Sequence, residues 1–174
     1  NGFDKSQVII TDLCVNGSSC RNNTGDDRTM AQFADMNSDG MADLVFRDSD
    51  GVQVYFSTGN GFQLGFSSDI CADGSTNYGA CNDSDNFKYI YLADVTGEGR
   101  PDLCFRSDSG INCIPNAGNS FDTANIMQTG LLKNGDDSFS FSTARFIDIN
   151  GDGMDDLMWL SKDDGLKVYF SRGY

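Results

Sequence analysis

The residues best placed to do chemistry are short acidic ones. Three times the chain repeats the pattern D-x-[D/N/T]-x-[D/E]-G-x-x-D, as Asp35-Asn37-Asp39-Asp43, Asp94-Thr96-Glu98-Asp102 and Asp148-Asn150-Asp152-Asp156. Oxygen donors at alternate positions of a tight loop converge on one point. Gly40, Gly99 and Gly153 follow the fifth position and permit the sharp bend there. The carbonyls of Met41, Arg100 and Met154 offer a backbone ligand. Hard oxygens in such number suit Ca²⁺, which takes about 6–8 of them, better than Mg²⁺, which keeps its waters. Three loops in one register lead to an expectation of about three structural Ca²⁺ ions. They are not EF-hands, because position 12 holds Phe46, Phe105 or Trp159 where a bidentate Glu is needed, and the residues that follow read as strands.

Composition narrows the alternatives. The 174 residues include 25 Asp, one Glu and no His, with a net charge of −14. Without His there is no Ser-His-Asp or Cys-His catalysis and no His-ligated metal. So acidic a chain is not expected to bind nucleic acid, which needs stripes of Lys and Arg. No run of 18 apolar residues marks a transmembrane helix. Glu favours helix interiors, whereas Asp and Gly favour turns, so the Asp excess predicts a helix-poor, turn-rich fold.

The elements that must hold the loops repeat with them. Segments beginning at Ala31, Ile90 and Ala144 align by eye, and their first aspartates are 59 and 54 residues apart. The phase divides the chain into units 1–59, 60–118 and 119–174. Strands are expected at Gln7 to Thr11, Met30 to Ala34, Leu44 to Arg47 and Val52 to Phe56, then at Gly61 to Phe66, Phe87 to Ala93, Leu103 to Arg106 and Ile111 to Ile114. Alternation is plain in Val52-Gln53-Val54-Tyr55-Phe56 and Leu166-Lys167-Val168-Tyr169-Phe170, and no window sustains a helical period. Four antiparallel strands repeated at this interval predict an all-β fold of β-propeller blades in three tandem repeats. Each unit's first strand is expected to be the outer strand of the preceding blade. The acidic loops then share one face of the ring, and the hairpin turns and long loops 12–28, 68–86 and 128–140 share the other.

Six cysteines form local pairs, Cys14 with Cys20, Cys71 with Cys81 and Cys104 with Cys113, an arrangement that fits disulfides and an oxidising compartment. The first two pairs would pin long loops, and the third would staple a hairpin. Glycosylation sequons stand at Asn16, Asn22 and Asn82. Asn77, Tyr78, Asp83 and Asp85 are candidate ligand contacts on the second long loop.

The run Asp-x-Asn-x-Asp-Gly-x-x-Asp-Leu, a hairpin, and then Val54-Tyr55-Phe56 through Asn60-Gly61-Phe62 resembles the FG-GAP/VCBS repeat of integrin α-chain propellers and of secreted bacterial and fungal proteins. The ending Val54 to Phe62 is similar to versions in Rhs and Tc-toxin-like polypeptides. The resemblance implies a propeller blade with Ca²⁺ in the loop between its first two strands. Thr96 and Glu98 depart from the pattern in the second unit.

The expectation for function is an extracellular or cell-surface, calcium-stabilised module that adheres to protein or carbohydrate and is not an enzyme. The alternatives are an architectural shell segment of a large toxin or surface polypeptide, or the propeller part of a polysaccharide-degrading enzyme. Three blades are too few to close a ring, so further blades are expected from a longer chain or a second chain.

Overall fold

The computed structural model describes residues 31–48, 50–72, 90–107, 109–133 and 143–173. Among the described residues, the β-branched and aromatic runs form eleven strands, in three antiparallel sheets. The first sheet is β1 (Gln32–Ala34), β2 (Asp43–Asp48), β3 (Gly51–Ser57) and β4 (Phe62–Ser68), in that spatial order. The second is β5 (Ile90–Ala93), β6 (Asp102–Ser107), β7 (Gly110–Ile114) and β8 (Met127–Gln128). The third contains β9 (Arg145–Ile147), β10 (Asp156–Ser161) and β11 (Gly165–Tyr169). The architecture is all-β, three meandering sheets like propeller blades that do not close into a ring. β4 lies beyond the 59/60 repeat boundary yet pairs with β3, so the strand that opens a repeat completes the sheet before it.

Period-2 alternation gives each sheet two apolar faces, and these hold the sheets together. Val45, Val52, Val54 and Phe66 of the first sheet pack with Ile90, Leu103, Phe105 and Ile114 of the second. The other face of the second sheet packs Ala93, Cys104, Ile111 and Cys113 against Leu157 and Trp159 of the third. Each large apolar side chain so buried contributes about 1.5–3 kcal/mol, so these two cores are the main source of cohesion. Phe66 meets Phe121 edge-on at 5.2 Å, and Tyr91 tilts against Phe146 at 5.4 Å.

Cys104 and Cys113 are bonded to each other and are directly opposed across β6 and β7. The bridge staples the hairpin as expected, and it is also buried in the core shared with the third sheet. Cys71 is likewise disulfide-bonded. Cys14, Cys20 and Cys81 lie outside the described residues, as do Asn16, Asn22 and Asn82 and the loop candidates Asn77, Tyr78, Asp83 and Asp85.

Gly51 and Gly110 start the third strand of their sheets at φ +117° and +116°. A Cβ on Gly51 would sit 2.1 Å from the carbonyl oxygen of Ser68, and one on Gly110 would sit 2.4 Å from that of Leu131. The backbone after the outer strand is thus laid directly on the hairpin turn.

Candidate metal loops

Each acidic loop joins the first strand of a sheet to the second, and all three are at the same end of their sheets. Gly40, Gly99 and Gly153 have φ of +86°, +77° and +86°, the left-handed bend that the pattern requires.

The loop residues play two different parts. The ninth residue begins the second strand and is buried in all three copies: Asp43, Asp102 and Asp156 are 0%, 1% and 0% exposed. Its two oxygens brace the sheet. One accepts from the amide of Met36, Val95 or Ile149, at 2.8, 3.0 and 3.1 Å. The other accepts from the amide of Ser57, Asn116 or Ser171, at or just past the end of the third strand, at 2.8, 2.9 and 2.8 Å. A buried carboxylate requires such partners. Burial pushes Asp102 up to about 6, although the amides of Asn116 and Val95 pull it back.

The first residue folds the loop around itself. Asp35, Asp94 and Asp148 accept from the amides of Gly40, Gly99 and Gly153 at 2.8, 2.6 and 3.0 Å. Their other oxygens accept from Asp39, from Gly97 and Glu98, and from Gly151 respectively. The third and fifth positions then interlock. Asn37 donates to Asp39 at 3.0 Å, and Asn150 donates to Asp152 at 2.8 Å. Asp39 and Asp152 accept from the amides of Met41 and Met154.

Donor chemistry and arrangement must be distinguished. The first and third loops each offer three carboxylates and an amide oxygen to a hard cation. In the geometry described, these side chains turn onto main-chain amides. Among the described residues no group of three or more Asp, Glu or Cys side chains is drawn together as a metal cage. In the second loop Glu98 forms an ion pair with Arg100. Thr96 stands in the Asn position and is 3.3 Å from Asp94.

Several residues that join the loops to one another carry no signal in a pattern of acidic positions. Asp155, the residue before the ninth position, accepts from the amide of Asp94 at 2.9 Å and returns its own amide to the Asp94 carbonyl at 2.6 Å. Burial raises its pKa. Asn116 donates to the Met36 carbonyl at 2.8 Å, and Ser171 donates to that of Val95 at 2.7 Å. A repeat alignment could have flagged Ser57, Asn116 and Ser171, which share one place at the end of the third strand.

Residues 35–105 match the family model described as FG-GAP-like repeat. Among curated proteins, none matches the chain in sequence. The fold is similar to that of a lectin from Agrocybe aegerita described as specifically recognising non-reducing terminal N-acetylglucosamine. That likeness has 23% identity and a TM-score of 0.57, over 83% of this chain and 36% of the lectin. It is also similar to part of the Tc holotoxin pore of Photorhabdus luminescens, at 21% identity and a TM-score of 0.54, over 83% of this chain and 6% of that one. A third likeness is to TcdB2-TccC3, at 19% identity and a TM-score of 0.58, over 86% of this chain and 7% of that one. The chain therefore spans about a third of the lectin and under a tenth of the toxin chains. Residues 35–105 thus match the FG-GAP-like repeat, within an all-β fold of propeller-type sheets.

Proposed function

We propose that the chain is a calcium-stabilised propeller module that works outside the cell by binding protein or carbohydrate, and that it does no catalysis of its own. The observation that carries the reading is the recurrence of one loop, in one register, at the same end of three stacked sheets. In the first and third copies Asp35, Asn37, Asp39 and Asp43, and Asp148, Asn150, Asp152 and Asp156, would hold the ion, with the carbonyls of Met41 and Met154. The ion would neutralise each acidic cluster and tie the loop to the first two strands. Its role is structural. A ligand that binds only the folded state stabilises it by mass action. Millimolar Ca²⁺ should therefore raise the melting temperature and EGTA should lower it; equal melting in the two would overturn the calcium reading.

The lectin likeness and the disulfides favour carbohydrate binding in an oxidising setting, and the toxin likenesses favour a wall or shell segment within a larger assembly. A glycan array probed in Ca²⁺ and in EGTA separates the two. Retention of a defined sugar class supports the binding module, and a blank array supports the architectural role.

A further inference from the structure

We infer that the second loop carries its own counter-charge in Arg100 and takes no metal, so that the chain binds two divalent ions rather than three. This rests on the calcium reading of the first and third loops. Three observations converge on it.

The first is charge. The first loop has Asp35, Asp39 and Asp43 with Met41 at its seventh position, and the third has Asp148, Asp152 and Asp156 with Met154 there. Only the second has a cation in its own sequence, and its guanidinium is paired with Glu98, the fifth-position carboxylate that a metal would need. The guanidinium is also held from behind, because its Nε donates to the Asn116 carbonyl at 3.2 Å. A partly exposed pair of this kind contributes only about 0–1 kcal/mol. Its consequence is different: it lowers the local negative charge and engages the donor.

The second is seating. The seventh side chain lies over the glycine that follows the third strand in every copy. Met41 approaches Gly59, Arg100 approaches Gly118, and Met154 approaches Gly173. Arg100 thus occupies the place of a methionine, with its charged end turned back to the loop.

The third is anchoring. The second loop is the middle one and is tied on both sides. Ser38 donates to the Gly99 carbonyl at 2.9 Å from the first loop. Asp155 makes its reciprocal pair with Asp94 from the third. The outer loops each have one such neighbour among the described residues. Contacts between loops thus hold the middle loop from two sides and each outer loop from one.

Calcium titration of the whole chain by calorimetry, with native mass spectrometry for the count, tests the inference. The unmodified chain should bind two ions, and the triple variant Thr96→Asn, Glu98→Asp, Arg100→Met should bind three. Three ions on the unmodified chain, or a folded triple variant that still binds two, would overturn the assignment to Arg100 and leave calcium binding intact. A single ion would overturn it as well. No bound ion at all would instead remove the calcium reading beneath it. Hydrogen exchange on the unmodified chain gives a readout that does not depend on the variant folding. Ca²⁺ should slow exchange at the Gly40 and Gly153 amides about tenfold or more and leave Gly99 within about twofold. Equal slowing at all three would refute the inference.

Discussion

The aspartates of these loops brace the protein to different degrees when no ion is bound, and the difference should show under mutation. Asp43 is buried and its oxygens serve the amides of Met36 and Ser57. Truncation would leave two donors unsatisfied in the interior, each costing about 1–3 kcal/mol. Asp43→Ala should therefore lower the unfolding free energy by about 3 kcal/mol in urea titrations, with EGTA present throughout. Asp39 is exposed and meets the Met41 amide and the Asn37 side chain. Asp39→Ala should cost under about 1 kcal/mol in EGTA but abolish the share of the calcium-induced rise in melting temperature owed to the first loop. Equal losses for the two variants in EGTA would contradict this division of labour.

At the scale of the element, the hairpin of the second sheet is fixed by a bridge and a glycine. The Cys104–Cys113 disulfide closes a short loop, with a separation of 9 residues. The chain-entropy argument gives about 2–3 kcal/mol for such a loop. The double variant Cys104→Ala, Cys113→Ala should lose about that much in a denaturant titration while keeping its far-ultraviolet circular dichroism. An unchanged midpoint would mean that the buried packing alone fixes the hairpin. Gly110→Ala forces a Cβ against the backbone of Leu131 at a positive φ. A cost of about 1–3 kcal/mol or more is expected, and a neutral substitution would show that the segment after β8 yields.

Among the described residues, the sheets stack by faces that recur, and the first and third sheets each leave one face outward. The outer face of the third sheet exposes Ile147, Leu160 and Leu166, and the outer face of the first exposes Phe33 and Leu64. The strand positions of Leu160 and Leu166, paired across β10 and β11, correspond to those of Arg106 and Ile111, paired across β6 and β7; Ile111 is buried in the contact between the second and third sheets. Exposed apolar faces of this kind mark association surfaces. The 174-residue chain should therefore self-associate in sedimentation velocity at neutral pH, and Leu160→Asp with Leu166→Asp should return it to the monomer. A wild-type chain that sediments as a monomer at high concentration would count against the end faces as contact surfaces.

The sequence by itself determined the acidic loops and the strands that flank them among the described residues; the strand expected at Gln7 to Thr11 lies outside those residues. Alternation in Val52 to Phe56 has period 2 and points to a strand, and a glycine after the fifth loop position permits the left-handed bend. These are local constraints, readable residue by residue. The pairing of Cys104 with Cys113 was legible for the same reason, since two cysteines flanking a tight turn face each other. The tertiary structure decided what each oxygen faces. Asp43 and Asp39 are equivalent in a pattern of acidic positions, yet one is sealed beneath the amide of Ser57 and the other stands in solvent. Asp155 and Asn116 join loops 61 and 80 residues apart, a separation that no local pattern encodes. Burial and partnership are properties of the folded sheets and their stacking, because only these fix which amides and which charges surround a carboxylate.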